Sequence, residues 1–247
     1  MTTRVEHVMG MPVIVDIRDE GLDPSVFDRV FDWLRFVDAT FSTYKEDSEI
    51  SRLNRGELEL AEAHDDVREV LARCDELRVE TRGYFDVRAE RAERIDPSGL
   101  VKGWSVDRAA VIIDQAGARN YAVNAGGDMV LRGGALPDAL WRVGIQHPTI
   151  RDRVARVVET DDLAVATSGT YERGEHVIDP HTRRPPAGVL SVTITGPVLA
   201  TADAYATAAF AMGLDAPRWT ARLPRGYEAM TILADETVLS TPGFAAP

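Results

Sequence analysis

The pattern of hydrophobic and polar residues predicts amphipathic helices in the first half of the chain. Hydrophobic side chains recur three and four positions apart in residues 24–38, 65–81 and 104–117, so each segment presents one hydrophobic helical face. Asp23 and Pro24 are the expected N-cap and first residue of the first of these helices.

Strand signals dominate the second half of the chain, although residues 12–17 (PVIVDI) already predict a buried strand. From about residue 128 to 195, turn residues separate the strand-like stretches MVLRG, WRVGIQ, RVARVVE, LAVATSG and VLSVTIT. Residues 200–213 predict the last strong helix, and residues 230–241 predict a closing hairpin. The chain has no internal repeat or Pro-rich linker, so we expect residues 1–247 to form a single α+β domain with a largely antiparallel sheet and packed helices.

Composition narrows the class of protein. The 247 residues are 45% hydrophobic and 28% charged, and the net charge of −12 argues against a general nucleic-acid role. An acidic protein can still bind a phosphorylated ligand through a local lysine or backbone N–H groups. Cys74 is the single cysteine, and the sequence contains neither a signal-peptide run nor a stretch of about 18 apolar residues. We therefore expect a cytoplasmic protein.

Two glycine-containing stretches are compatible with anion binding. In DPSGLVKGWSVDRA (96–109), Lys102 and the backbone N–H groups at a helix start can face a phosphate, although an ordinary loop-to-helix entry fits the same residues. In NAGGDMVLRGG (124–134), adjacent glycines allow close approach of a ligand, but a tight hairpin turn needs them equally.

The stretch ATSGTYERGEHVIDPHTRRPP (166–186) offers groups for proton transfer. His176 is the side chain best suited to that role near neutral pH, although a lone loop histidine is more often structural. Ser168, His176 and Asp179 suggest a hydrolase triad only weakly, because the G-x-S-x-G elbow is missing.

The stretch ATADAYATAAFAMG (200–213) places one acid in a segment otherwise suited to burial. Asp203 and Thr207 lie one helical turn apart, at about 40° from each other around the axis, so both oxygens share a face. Oxygen ligands suit Mg²⁺. The alternative is that Asp203 or Thr201 caps the helix and Thr207 only bonds to the backbone.

Taken together, these stretches resemble the ApbE family, the FAD:protein FMN transferases, over roughly residues 8–213. The motifs occur in the family's order as MGMPV, FSTYKEDSEISRLN, GYFDV, DPSGLVKGWSVD, NAGGD, TSGTY, HVIDPHTRRP and ADAYATAAFAMG. The resemblance implies a T-fold-like α+β architecture. It also implies Mg²⁺-dependent transfer of FMN from FAD to a Thr or Ser hydroxyl of a target protein, with release of AMP.

The resemblance also implies a metal site. Asp203 and Thr207 would be side-chain ligands of Mg²⁺, and the carbonyl of Val101 would be a third ligand. The metal would neutralise the pyrophosphate and activate the AMP leaving group. Lys102 would add positive charge nearby.

The remaining matched positions would serve the acceptor and FAD. His176 matches a proposed base for the acceptor hydroxyl, and Asp179 would hold or tune its loop. The matched segments that would surround FAD contain Met9, Tyr44, Tyr84, Phe85, Asp86, Ser98, Trp104, Gly126, Gly127, Asp128, Thr167, Ser168, Gly169 and Ile178, together with Lys102, His176 and Asp179.

Three departures from the family pattern bear on the flavin site. Val101 stands where a small residue is usual, Arg183 replaces the glycine of D-P-x-T-G-x-P, and the connection at 87–95 is short and highly charged. These departures keep a non-catalytic FAD-binding protein open as an alternative. A second alternative is a Mg²⁺-dependent FAD pyrophosphatase that yields FMN and AMP, since it would need the same metal and the same pyrophosphate pocket. Without an export signal, the expected acceptor is cytosolic or faces the cytosol.

Overall fold

The core of the molecule is an antiparallel sheet on which helices pack. The computed structural model describes residues 2–88, 94–136, 139–150, 152–170 and 177–244. Within these residues, eight strands form one sheet in the order β1-β2-β3-β4-β7-β8-β9-β10, and β5 and β6 form a separate hairpin. The strands are β1 Thr2–Val8, β2 Met11–Ile17, β3 Tyr121–Ala125, β4 Asp128–Arg132, β5 Trp141–Gln146, β6 Val154–Thr160, β7 Asp162–Gly169, β8 Val189–Gly196, β9 Glu228–Leu233 and β10 Val238–Ser240.

The helices come mainly from two parts of the chain. They are α1 Ser25–Phe41, α2 Glu49–Asn54, α3 Asp65–Glu80, α4 Ser98–Gln115, α5 Leu199–Ala211 and α6 Ala216–Thr220, with short 3₁₀ turns at Leu60–Glu62 and Gly213–Asp215. No helix in the described part of the chain combines the length and apolarity needed to cross a membrane.

The eight-stranded sheet is covered on both faces, and each cover has its own hydrophobic core. Strand β2 alternates buried and accessible positions, as the period of two predicts, and its Val13 and Val15 pack into the cluster that contains Phe31 and Leu34 of α1. On the opposite face, Trp141 and neighbouring side chains of the β5–β6 hairpin form a second cluster with Leu131 of β4 and with residues of β7 and β9. The two covers explain why β7 and β8 are buried along most of their length.

The structure confirms the predicted α+β class and the antiparallel sheet, and it corrects one helix boundary. The helix predicted to begin at residue 104 begins at Ser98, so Lys102 lies inside α4 rather than in a loop before it. Glycine disfavours helices, and the stretch 98–103 contains Gly99 and Gly103, which obscured the true start. Two elements at the N-terminal side, β1 and α2, were not predicted.

Cys74 belongs to the core of the helical layer. Its side chain is buried in α3, and burial raises the pKa of its thiol to about 12. The thiol therefore stays protonated at neutral pH, which makes it a packing residue rather than a nucleophile.

Candidate active site

The site is built where two buried helices, α4 and α5, come into close contact. A Cβ atom at Gly103 would lie 2.7 Å from the carbonyl oxygen of Leu199 and 2.8 Å from the Cα of Ala200, so only glycine fits there. At this crossing the backbone N–H of Gly103 donates to Oδ2 of Asp203 at 3.1 Å. The helix contact therefore holds the Asp203 carboxylate directly.

Lys102 links Asp203 to the sheet. Its Nζ lies 2.5 Å from Oδ2 of Asp128 and 3.7 Å from Oδ1 of Asp203. Asp128 is fully buried at the start of β4, and its Oδ1 accepts the N–H of Thr167 at 2.9 Å. Among the residues that the structure describes, two carboxylates face one ammonium group, and the excess of negative charge favours binding of a cation.

Hydroxyl groups complete the pocket. The Oγ1 of Thr207 lies 3.5 Å from Oγ of Ser168, which brings the α5 face to the end of β7. The hydroxyls of Thr167 and Thr193, 2.9 Å apart across β7 and β8, lie on the opposite face of the sheet, because successive side chains of a strand alternate between its faces. The helix face that carries the predicted i, i+4 pair therefore meets the end of β7, where Ser168 lies.

These donors suit Mg²⁺ in their chemistry. In the described part of the chain, no three His, Cys, Asp or Glu side chains are grouped as a metal site. Mg²⁺ does not require such a group, because it commonly binds through one or two carboxylates and completes its shell with water and phosphate oxygens. Asp203 offers a carboxylate and Thr207 a hydroxyl, and the third oxygen that the family resemblance implies is the carbonyl of Val101, the residue before Lys102 in α4.

Asp203 does not cap its own helix, so the structural alternative for this residue is wrong. Helix α5 begins at Leu199, and its N-cap residue Val198 has no side-chain cap. The cap is supplied by Asp107 of α4, whose two carboxylate oxygens accept the N–H groups of Leu199 at 3.0 Å and Ala200 at 2.8 Å. Burial raises the pKa of Asp107, and the two N–H donors act in the opposite direction.

Two tight hairpin turns lie side by side at one end of the sheet. Gly126 and Gly127, which join β3 to β4, both have positive φ, and Met9 at the β1–β2 turn has a φ of 55°. The N–H of Gly126 donates to the carbonyl of Pro12 at 3.2 Å. The glycines thus serve the hairpin as the turn interpretation requires, and they bring the Met9 turn and the Asp128 carboxylate to the same end of the sheet, on strands that β3 separates.

The predicted aromatic residues differ in their surroundings. Tyr44 is 92% exposed, which leaves its ring free for a planar ligand. Trp104 is buried, with ring centroids 5.2 Å from Trp33 and 5.4 Å from Phe41. Its indole N–H has no hydrogen-bond partner among the residues that the structure describes.

The GYFDV stretch contacts the loop that carries Asp179. The rings of Tyr84 and His181 meet edge to face at 4.5 Å, and Nε2 of His181 lies 3.2 Å from the carbonyl oxygen of Arg82. Phe85 is buried, and its N–H donates to Oγ1 of Thr81 at 2.9 Å. The two segments therefore pack against each other near the N-terminus of α4.

Asp86 and Ser98 flank the charged connection at 87–95. A carboxylate oxygen of Asp86 lies 3.5 Å from Nε of Arg78, and Oγ of Ser98 donates to Asp96 at 2.5 Å. The N–H of Asp96 donates to the carbonyl of Val87 at 2.8 Å, which closes the connection at its ends. Residues 89–93 within it lie outside the described residues.

Asp179 organises the loop that follows it. Its carboxylate accepts the N–H of His181 at 2.9 Å and the hydroxyl of Thr182 at 2.8 Å, and its N–H donates to the carbonyl of Arg184 at 2.9 Å. Ile178, just before it, is partly buried. His176 lies outside the described residues, so its predicted role as a base remains a prediction.

Arg183 occupies a backbone conformation that favours glycine, with a φ of 55°. A left-handed backbone conformation costs an L-residue about 1–2 kcal/mol, a cost that glycine does not incur. Glycine loses about 0.5–1 kcal/mol more chain entropy on folding, which offsets part of this gain. We expect Arg183→Gly to stabilise the protein by about 0.5–1 kcal/mol, measured as a higher urea midpoint. Arg184→Gly, at a neighbour without a positive φ, should give no gain; an equal gain there would contradict the assignment of strain to residue 183.

Two polar residues stabilise the backbone around the site through hydrogen bonds that the sequence does not predict. Asn54 bonds to both backbone groups of Ile95, donating to the carbonyl at 2.9 Å and accepting the N–H at 2.7 Å. Asp107, described above, caps α5 from α4. Both lie inside motifs that were recognised, but nothing in a single sequence marks a side chain whose partner is a distant backbone group.

Comparison with known structures finds solved proteins with the same fold. The ApbE protein of Thermotoga maritima superposes with a TM-score of 0.89 at 23% identity, covering 98% of this chain and 97% of that chain. The flavin transferase ApbE of Vibrio cholerae gives a TM-score of 0.85 at 24% identity, with coverage of 98% and 97%. These matches confirm the predicted T-fold-like α+β architecture.

Sequence comparison identifies the family. The ApbE family model matches residues 9–92 and 87–231, so the chain belongs to the ApbE family, as predicted. It is 29% identical over 245 residues to the FAD:protein FMN transferase of Haemophilus influenzae, covering 74% of this chain and 71% of that protein.

Other relatives match over a shorter part. The chain is 38% identical over 129 residues to the FAD:protein FMN transferase of Vibrio cholerae, which covers 48% of this chain and 39% of that protein. The corresponding match to the Escherichia coli protein of the same name is 35% identical and covers 37% of its length. The matched segment thus spans well under half of these relatives.

Proposed function

We propose that this protein transfers FMN from FAD to a Thr or Ser hydroxyl of a target protein, with Mg²⁺ as cofactor and AMP as the second product. The observation that carries the proposal is the Lys102 ammonium, held between the carboxylates of Asp128 and Asp203 with the Thr207 hydroxyl one turn beyond Asp203. Relatives named FAD:protein FMN transferase support the same activity.

The reaction is a phosphoryl transfer in which positioning and charge supply most of the catalysis. The acceptor hydroxyl oxygen forms a bond to the phosphorus of the FMN half of FAD. The bond from that phosphorus to the bridging oxygen breaks, and AMP leaves with the bridging oxygen. The hydroxyl proton passes to a base, for which we propose His176.

Each described residue has a distinct task in this proposal. Mg²⁺, when bound by Asp203, Thr207 and the Val101 carbonyl, would supply charge neutralisation for the pyrophosphate. Lys102 supplies a second positive charge, and the buried carboxylate of Asp128 holds its ammonium group in place. Asp128 therefore acts through Lys102 and Thr167, since none of its surface is exposed.

The exposed ring of Tyr44 and the segments around Met9, Tyr84 and Trp104 are proposed to receive the rest of FAD. An exposed aromatic ring offers a stacking surface for a planar ring system. The Asp179 loop, which its own hydrogen bonds hold in shape, would place the neighbouring His176 beside the acceptor. The acceptor protein and its predicted cytosolic location stay predictions.

One assay separates this proposal from its alternatives. The protein is incubated with FAD, Mg²⁺ and a peptide that carries the family's usual acceptor pattern, D-x-x-[ST]-G-A-[ST]. Covalently bound flavin fluorescence on the peptide together with free AMP supports transfer. Free FMN with unlabelled peptide would establish hydrolysis instead, and intact bound FAD would leave only the carrier alternative.

His176→Ala is expected to lose transfer while it keeps FAD binding. General-base catalysis contributes about 10²- to 10⁴-fold, and a side chain that acts only on the acceptor proton adds little to binding of the donor. The measurement pairs the initial rate of peptide labelling with an FAD titration. His181→Ala, five residues further along the chain, is the matched control and should retain most of the rate. Unchanged labelling by His176→Ala would remove its role as the base.

A further inference from the structure

The start of α5 is held by a side chain from another helix. The first N–H groups of a helix have no partner within the helix, and a residue just before it normally binds them. In α5 that position is Val198, which has no capping side chain. Asp107 of α4 supplies the cap instead, with one carboxylate oxygen on each of two consecutive N–H groups, those of Leu199 and Ala200.

The same face of α4 makes a second contact with α5, one turn earlier. Gly103 precedes Asp107 by four residues, so the two lie on one side of α4. Gly103 touches the backbone of Leu199 and Ala200 and donates its N–H to the carboxylate of Asp203. A single contact would leave α5 able to rotate or slide about it, whereas two contacts one turn apart fix both movements.

We infer that Asp107 is a positioning residue that sets the rotation of α5, and hence the direction in which Asp203 and Thr207 present their oxygens to Mg²⁺. The inference rests on the proposed function, because it concerns the metal site of that reaction. A change of one residue in helical register turns a side chain by about 100°, which would take both oxygens off the face that meets Lys102 and Ser168.

The chemistry of the cap explains why a carboxylate is used. At this cap each of the two N–H groups donates to its own oxygen, and an aspartate supplies both oxygens. An asparagine has one acceptor oxygen and an NH₂ group that repels the second N–H. Asp107→Asn should therefore keep one of the two bonds, and Asp107→Ala should lose both.

Asp19 provides a matched control for the stability of such a cap. One of its carboxylate oxygens accepts the N–H groups of Arg119 and Asn120 at 2.8 and 2.7 Å, and the other accepts the side-chain amide of Asn120. This carboxylate also binds two consecutive backbone N–H groups, but in a loop before β3 that carries none of the proposed site residues. Asp19→Ala should therefore destabilise the protein without affecting the metal site.

The test measures metal affinity rather than activity alone. Mn²⁺ serves as the probe, and its dissociation constant in the presence of FAD is followed by electron paramagnetic resonance for the wild type and the three variants, with urea unfolding in parallel. We expect Asp107→Ala to raise this constant by about 10- to 100-fold and Asp107→Asn by a smaller factor, as for residues that orient metal ligands. Asp19→Ala should leave it within twofold while its unfolding midpoint falls.

The outcomes separate the inference from the function on which it rests. If wild-type protein binds Mn²⁺ with FAD but both Asp107 variants bind it with unchanged affinity, the positioning role is wrong and the proposed function stands. If Asp107→Ala fails to fold, the Asp107→Asn variant alone decides the same question. If wild-type protein binds no Mn²⁺ with FAD, the metal-dependent function is wrong, and the inference falls with it.

Discussion

Asp203→Asn is expected to reduce Mg²⁺-dependent FAD cleavage by about 100- to 1000-fold while the fold is retained. The substitution keeps a side-chain oxygen that can accept the Gly103 N–H, so the contact between α4 and α5 survives. It removes the negative charge that faces Lys102 and that we assign to the metal, in a site where such charge interactions contribute several kcal/mol to the transition state. The measurement is the initial rate of AMP release at saturating FAD over a range of Mg²⁺ concentrations.

Asp114→Asn is the matched control for this prediction. Asp114 lies further along α4, where its carboxylate accepts the hydroxyl of Tyr121 at 2.8 Å, and an asparagine oxygen can accept the same bond. It should therefore cleave FAD at close to the wild-type rate. Full activity of Asp203→Asn at low Mg²⁺ concentration would overturn the assignment of Asp203 as a metal ligand.

Most of the fold could be predicted because most elements bury one face and expose the other. Strand β5 was predicted to the residue, and its burial alternates strictly along Trp141–Gln146. Strand β1, which was not predicted, lies at the edge of the sheet, and most of its residues are exposed. Its sequence, TTRVEHV, does not alternate between hydrophobic and polar residues. An edge strand forms because its backbone bonds to one neighbouring strand, and a single sequence does not show which strand that is.

The start of α4 could not be predicted for a related reason. Helical propensity argues against a helix that contains Gly99 and Gly103 in its first two turns, yet the packing of α4 on α5 requires a residue without a side chain at position 103. Tertiary packing decides this segment. The sequence consequently predicts Lys102 at a helix entry, where it could meet a phosphate, and nothing in it connects Lys102 with Asp128.

The candidate site also combines features that a local sequence pattern predicts with features that only tertiary packing produces. The pairing of Asp203 with Thr207 follows from local helical geometry, so the sequence alone could predict that they share a face. The partners that give these residues their setting come from other elements: Asp128 from β4, Ser168 from β7 and Asp107 from α4. No local rule relates residues so far apart along the chain, and their proximity emerged only from the packed structure.

Gly103→Ala is expected to destabilise the protein by about 2–3 kcal/mol and to abolish FAD cleavage. Helical propensity alone would favour alanine by about 1 kcal/mol, so the expected sign depends on packing. The added methyl group would lie 2.7 Å from the Leu199 carbonyl oxygen and 2.9 Å from the Ala200 nitrogen. Both are backbone atoms that no side-chain rotation can move, so α4 and α5 must separate, and overpacking of this kind outweighs the propensity gain.

The separation explains why activity should be lost together with stability. It lengthens the bond from the Gly103 N–H to Asp203 and draws the start of α5 away from Asp107, so the proposed metal ligands lose two of their supports at once. Urea unfolding and AMP release measure the two effects. Gly144→Ala in β5 is the control, because its methyl group would meet only the side chain of Val154 at 3.3 Å. A Gly103→Ala protein as stable and active as the wild type would show that the two helices do not approach as closely as described, and would remove the physical basis for the buried carboxylate at their crossing.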